Sequence, residues 1–511
     1  MRIPRLPGAR VSAAAILLVG LAACTAPSVV VPLPPPQPGA TVAPTPSLGR
    51  FYLQHPTWTA CRDGFQCTTV AVPLDYAAPA GAAISLALIS LPAGDPGRRI
   101  GALLINPGGP GVSGVDFTRA SAGGFSPSIR AHYDLVGFDP RGVGASTPIR
   151  CISDRQQDAL MAYDGSPDTP AEELGLLAIS RQLADGCQAH SAALLAHMGT
   201  ADAARDMDII RAVMGDAKLH YYGASYGTFL GAMYANEFPG NVGRMVLDGA
   251  LDPALTATDL ARGQLGGFVG ALNNFIANCV TQRPCPVGST LAQGQARIAA
   301  LIKGADARPL LSNSGRPVTQ SLVVLGVFYP LYEGKAGWSL LRAALTQAEQ
   351  GHGDILLAIS DQYTGRDARG HYPRNENEAT NAVNCLDRPD HSTIADYRTL
   401  AAEFAKTSPL FGAYFAWGDA PCSVWPVQSG VVPGPLHAEG AAPIVVVGTT
   451  HDPATPYQWA VNMAAELSSG VLVTRVGEGH TAYGRGSACI DATIEAYLVH
   501  GTVPAKGTVC H

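Results

Sequence analysis

Short, continuous apolar runs alternate with stretches of helical period along much of the chain. Gly101-Ala102-Leu103-Leu104-Ile105 is apolar throughout, as a strand buried on both faces must be. Tyr133–Asp139, Leu219–Tyr222, Gly243–Asp248, Pro443–Gly448 and Val471–Val476 read as strands too. Val70–Leu74 and Ile84–Leu88 instead alternate as half-buried antiparallel strands do. Thr200–Met214 sets Ala204, Met207, Ile210, Arg211 and Met214 along one side of a helix that leads straight into the strand before Gly223. Strands separated by helical patterns predict βαβ units and a mostly parallel sheet.

Past residue 250 this rhythm breaks. Leu265, Phe268, Val269, Leu272, Phe275 and Ile276 follow a 3.6 period, as do Trp338, Leu341 and Leu345, then Ile394, Tyr397, Ala401 and Phe404. Residues 251–435 therefore predict a helical insertion, flanked by two parts of one sheet domain, 49–250 and 436–511. A block inserted there caps the carboxyl edge of the sheet, where open α/β sheets bind ligands.

With 47% apolar and 14% charged residues in 511, the chain can bury a large core. A net charge of -6, with no basic run beyond isolated pairs, excludes nucleic acid as a partner. Arg2, Arg5 and Arg10 precede an apolar stretch, Val11–Leu21, and then Ala22-Ala23-Cys24. That is the pattern of an export signal, residues 1–23. Leu21-Ala22-Ala23-Cys24 resembles a bacterial lipobox, which implies cleavage before Cys24 and lipidation of its thiol. Residues 24–48, rich in Pro and nearly uncharged, are expected to form a stiff tether. The expected location is the cell envelope, anchored by lipid to the outer face of the cytoplasmic membrane, or the medium.

Of eleven cysteines, ten remain after Cys24. An even number in an exported chain predicts five disulfides, with connectivity left open by the sequence. Joining neighbours in order pairs Cys61 with Cys67, Cys151 with Cys187, Cys279 with Cys285, Cys385 with Cys422, and Cys489 with Cys510. No C-x-x-C spacing or paired His-Cys spacing suggests a metal.

The candidate chemistry centres on Gly223-Ala224-Ser225-Tyr226-Gly227, a G-x-S-x-G pentapeptide between the Leu219 strand and a helical stretch. A serine at such a strand–turn–helix apex stands exposed at the edge of a sheet. The helix behind it offers unpaired N–H groups to a developing oxyanion. Upstream, the Gly101–Ile105 strand empties into Asn106-Pro107-Gly108-Gly109-Pro110-Gly111. A loop this rich in glycine can bring bare backbone amides against a substrate oxygen. Gly109, with Gly108 as second choice, and Tyr226 are the expected oxyanion donors.

Two late strands end in Thr449-Thr450-His451-Asp452-Pro453 and Gly477-Glu478-Gly479-His480-Thr481. Ser225, Asp452 and His480 thus follow the order nucleophile, acid, base. Asp248, which also ends a strand, competes for the acid role, and His451 for the base. The segments NPGGPG, GFDPRGVG, GASYGTFLG, LDGALDP, GTTHDPATP and GEGHTAYG, with the closing Cys489 and Cys510 and the segments Asn384–Asp387 and Cys422–Pro426, together resemble exported tripeptidyl aminopeptidases of actinobacteria. These are α/β-hydrolases related to prolyl aminopeptidases.

The resemblance implies an α/β-hydrolase fold with a mostly parallel central sheet and a large helical cap between nucleophile and acid. It implies a serine hydrolase removing short peptides, typically tripeptides, from free N-termini, with no cofactor and no metal. Its substrate is a peptide or protein N-terminus, and a monomer is expected. Prolyl aminopeptidases carry histidine at the head of the oxyanion loop where this chain has Pro107, so the resemblance does not by itself imply their proline preference. Holding a substrate ammonium needs a carboxylate in the cap. Asp387 beside Cys385 is the first candidate, with Glu378 and Glu376 as the others. The alternative is a carboxylesterase or lipase acting on acyl groups of the envelope.

Overall fold

The structure is a computed structural model and describes residues 35–511; the export signal and Cys24 lie outside the described residues. Ten strands form one sheet. They are β1 (Thr59–Ala60), β2 (Gln66–Pro73), β3 (Ala83–Leu91), β4 (Gly101–Asn106), β5 (Tyr133–Phe138), β6 (Leu219–Ala224), β7 (Val242–Asp248), β8 (Ile444–His451), β9 (Gly470–Glu478) and β10 (Thr508–Cys510). Their order across the sheet is β1-β2-β3-β5-β4-β6-β7-β8-β9-β10. The pairs from β1 through β3 to β5 are antiparallel and all others parallel.

Both faces of this sheet are covered, which is why β4 and β5 are buried at every position. Alternation sends Leu104 and Val136 into one layer with Met207 and Leu230. Leu103, Ile105 and Leu135 enter the other with Val445, Ile494 and Tyr497. Parallel register aligns Asn106 with Gly223, Ala224 with Asp248, and Asp248 with Val447. The loops leaving β4, β6, β7, β8 and β9 therefore leave the sheet at one edge.

Between β7 and β8 the chain is helical, from Ala257–Val280 to Ala420–Ser423. These helices pack round a core of their own that includes Leu265, Phe268, Leu322, Phe328, Tyr397 and Trp417. One helix outside the insertion joins them. Pro170–Leu195, 26 residues long and not anticipated from the sequence, gives Leu176 and Leu177 to that core and Leu183, Ala184 and Cys187 to the sheet core. Its polar and small residues blur the period that would have announced it.

The tether also ends earlier than expected. Residues 37–48 are docked rather than free: Gln37 N–H donates to Gly215 O at 2.8 Å and buried Arg211 donates to Ala40 O at 2.9 Å. A buried guanidinium must fill its donors, and the backbone at Ala40 supplies one acceptor. Five disulfides are present among the described residues: Cys61–Cys67, Cys151–Cys187, Cys279–Cys285, Cys385–Cys422 and Cys489–Cys510. No helix of the described residues is long and apolar enough to cross a membrane.

Candidate active site

Ser225 sits between β6 and the helix Tyr226–Glu237 with φ 56° and ψ −126°. A non-glycine residue holds such a conformation only when its surroundings over-determine it. Here Ser225 N–H donates to Asp248 O at 2.9 Å, while Ser225 O accepts from Thr228 N–H at 2.8 Å and Thr228 Oγ1 at 2.6 Å. The turn is so tight that a Cβ on Gly223 would lie 2.4 Å from Gly227 O.

The loop after β4 packs directly on this elbow. Gly108 has φ 98°, and a Cβ there would lie 2.6 Å from Ala224 O and 3.0 Å from Tyr226 N. Gly108 N–H is already spent on Asn106 Oδ1 at 2.9 Å. Gly109 N–H has no acceptor among the described residues, and Tyr226 opens its helix, so its N–H has no partner within it. Two unengaged amides thus lie beside Ser225.

Asp452 and His480 come together past β8 and β9. His480 Nδ1 lies 2.9 Å from both carboxylate oxygens of Asp452. The Asp452 carboxylate is fully buried and also accepts from Ala454 N–H, Thr455 N–H, Thr481 N–H and Thr455 Oγ1. The His480 ring is held from the other side by the end of the helix Gln320–Tyr332. Tyr332 O accepts His480 N–H at 2.7 Å, and the Tyr332 ring stands edge-on to the imidazole at 5.5 Å. Ser225 reaches this pair through its neighbours: Gly249 follows the Asp248 that binds Ser225 N–H, and a Cβ on Gly249 would lie 3.3 Å from His480 Cε1. Among the described residues the ring bonds of His480 run to Asp452 and Thr455, and none reaches Ser225 Oγ.

The competing residues do other work. Asp248 Oδ2 accepts from Tyr222 Oη, Ala482 N–H and Tyr483 N–H, so it fixes the chain just past His480 rather than the imidazole. His451 is exposed and pairs with Glu478 at 3.0 Å. Thr455 was not singled out from the sequence. It lies 3.0 Å from Asp452 Oδ2 and 3.3 Å from His480 Nδ1, and the Asp-x-x-Thr spacing that lets a carboxylate bind the following amides was the available signal.

The three cap carboxylates, all on the helix Glu376–Asp387, go to three different places. Asp387, the first candidate for a substrate amine, is instead buried against the sheet domain, accepting from Thr200 N–H at 2.9 Å and Thr200 Oγ1 at 2.5 Å. Glu378 accepts from Cys151 N–H and Ile152 N–H, both at 3.0 Å. Only Glu376 keeps a carboxylate with no hydrogen bond or ion pair among the described residues, and burial raises its pKa against the pull of Arg374. Its helix is docked on the oxyanion loop, with Thr380 Oγ1 within 2.5 Å of Pro110 O and 2.8 Å of Glu376 O.

Comparison with known proteins agrees with the fold. Residues 101–297 match the alpha/beta hydrolase fold, and residues 408–510 match the TAP-like protein family. The chain is 38% identical over 480 residues to serine protease Hip1 of Mycobacterium tuberculosis, covering 89% of this chain and 90% of the relative. It is 31% identical to tripeptidyl aminopeptidase of Streptomyces coelicolor over 455 residues, covering 87% and 83%. The chain belongs to the tripeptidyl aminopeptidase-like α/β-hydrolases. This hydrolase is also 38% identical over 497 residues to carboxylesterase B of M. tuberculosis, covering 93% and 94%.

Proposed function

We propose that this serine hydrolase is an exopeptidase releasing short peptides, tripeptides by family, from free N-termini. The observation that carries the reading is the strained Ser225 beside two unengaged amides, at the sheet edge where Asp452 orients His480. Ser225 Oγ attacks the scissile carbonyl as His480 Nε2 takes its proton. The oxyanion is bound by Gly109 N–H and Tyr226 N–H. His480 then gives the proton to the leaving amine, the acyl-enzyme remains, and water attacks it by the reverse use of His480. Asp452 holds the imidazole tautomer and stabilises the imidazolium.

The helical block 251–435 acts as the cap over this edge. Within it Glu376 replaces Asp387 as the partner of the substrate ammonium. An unpaired, partly desolvated carboxylate beside the oxyanion loop sets the amine at a fixed distance from the scissile bond. The chain is exported and held at the membrane by a lipid on Cys24, as a monomer. Loss of palmitate incorporation and release to the soluble fraction in Cys24→Ala would test the anchor.

The test of activity is a panel of aminoacyl, dipeptidyl and tripeptidyl anilides, each with free and acetylated N-termini, beside a short-chain acyl ester. Cleavage confined to free-amine tripeptides supports the exopeptidase. The similarity to carboxylesterase B keeps a second reading in view, in which the cap holds an acyl chain. Ester turnover with no anilide cleavage would decide for it.

A further inference from the structure

We infer that Asp387 is a positioning residue for the oxyanion hole, acting through Thr200 on the side chain of Tyr226. The inference rests on the assignment of Ser225 as nucleophile and Tyr226 as oxyanion donor, not on the choice between peptide and ester. Thr200 opens the helix Thr200–Val213, and Tyr226 opens the helix behind the nucleophile. Thr200 N–H donates to Asp387 Oδ1 at 2.9 Å, and its hydroxyl donates to Asp387 Oδ2 at 2.5 Å. That uses the single hydroxyl proton of Thr200. The Tyr226 hydroxyl, 2.6 Å from Thr200 Oγ1, must therefore be the donor in their contact.

The result is a one-way chain, Tyr226 to Thr200 to Asp387, ending on a carboxylate. All three residues are buried, so the phenol has no water to fall back on. A second grip comes from the next residue of the cap. The Arg388 guanidinium lies 4.8 Å over the Phe229 ring, which meets Tyr226 edge-on at 6.2 Å. The first turn of the elbow helix is thus held by the last turn of a cap helix, itself tied down by the disulfide Cys385–Cys422.

The chain depends on charge. Burial is the main influence on Asp387 and pushes its pKa up to about 6, against the Thr200 bonds and Arg388, while Asp202 on the Thr200 helix adds repulsion. The other charged or titratable groups around it are Tyr226, held protonated by burial, and Asp419, which faces Arg388. A proton on Asp387 Oδ2 would oppose the Thr200 hydroxyl proton and remove the charge on which the chain ends. The Tyr226 anchor is then weakened as pH falls through about 6.

The test uses the full chain, a short-chain acyl ester and a fluorophosphonate. For wild type, kcat should fall about tenfold more on acidification through about pH 6 than it does in a variant without the Asp387 charge, because the neutral acid no longer holds the chain. Asp387→Asn should keep KM, lower kcat about tenfold at neutral pH, slow labelling of Ser225 in parallel and remove that extra acidic fall, the rate effect being a fraction of the loss when an oxyanion donor is removed. Tyr226→Phe, which cuts the chain while leaving Asp387 paired, should reproduce the same pH profile and rate, and it decides the matter where Asp387→Asn does not fold. A wild-type pH profile and labelling rate in either folded variant would overturn the inference and leave the nucleophile intact. A wild type that no fluorophosphonate labels would overturn the nucleophile itself.

Discussion

The loops at the sheet edge and the helices of the insertion present their charged residues by different rules. Past β4, β6, β8 and β9, a residue one to three places beyond a strand end has a fixed place, because parallel register aligns the ends. Gly109, Ser225, Asp452 and His480 therefore converge from four separate segments. The helix Glu376–Asp387 turns about 100° per residue, so Glu376 and Glu378, two apart, point to nearly opposite sides. One lies beside the oxyanion loop and the other caps amides of the Cys151 segment. Chemistry can be assigned by chain position at the sheet edge, but on the cap it needs the direction of each side chain.

The sharpest break in that comparison comes from the edge. Ser225→Ala should lower kcat by about 10⁶ and abolish fluorophosphonate labelling, with the thermal transition unmoved. Next comes a contrast between two buried aspartates, Asp248 at the end of β7 and Asp452 just past the end of β8. Asp452→Asn should cost about 10⁴ in kcat by presenting the wrong imidazole tautomer. Asp248→Asn should act mainly on stability, about 1–3 kcal/mol, since it leaves amides of residues 482 and 483 without an ionised acceptor. Equal losses of kcat in the two variants would show that Asp452 is not distinguished as the acid.

This contrast also marks what the sequence could disclose. Continuous apolar runs located β4 and β8 because burial on both faces leaves little room for polar residues. The strand–turn–helix pattern around Ser225 fixed the elbow because no bulkier residue fits at Gly223. Asp387 was drawn to the amine site by its place beside Cys385, yet the same disulfide anchors it toward Thr200. Its partner is 187 residues away in sequence, and no local pattern encodes that contact. Thr455 was overlooked for a different reason, since a threonine two places past a proline carries no periodic signal.

A smaller effect is expected from the cap. Glu376→Gln keeps the shape and removes the charge, so KM for free-amine tripeptide anilides should rise roughly ten- to a hundredfold with kcat on an acyl ester unchanged. Burial raises the Glu376 pKa, so the carboxylate is charged above that raised value and neutral below it. Wild-type KM for free-amine substrates should climb as pH falls, starting at higher pH than an ordinary carboxylate would dictate. That climb should vanish in Glu376→Gln and be missing for the ester throughout. An equal KM change on ester and anilide would remove Glu376 from the amine site.

The smallest expected change tests whether the edge is as rigid as its register implies. Thr455→Val deletes the hydroxyl that lies 3.0 Å from Asp452 Oδ2 while keeping the Thr455 N–H bond to Oδ1. Asp452 would still accept from the amides of residues 454, 455 and 481 and face His480 Nδ1. With those bonds left, the carboxylate should move little, and kcat should drop only about five- to tenfold, close to the worth of one ordinary hydrogen bond, about 1 kcal/mol, and less than that of one to a charged group left unreplaced. Thr455→Ser, which restores the donor without the methyl, should recover most of the rate. A loss near that of Asp452→Asn would mean that the hydroxyl, not the backbone amides, sets the orientation of Asp452. The sheet edge would then depend on a single side chain, as the cap does.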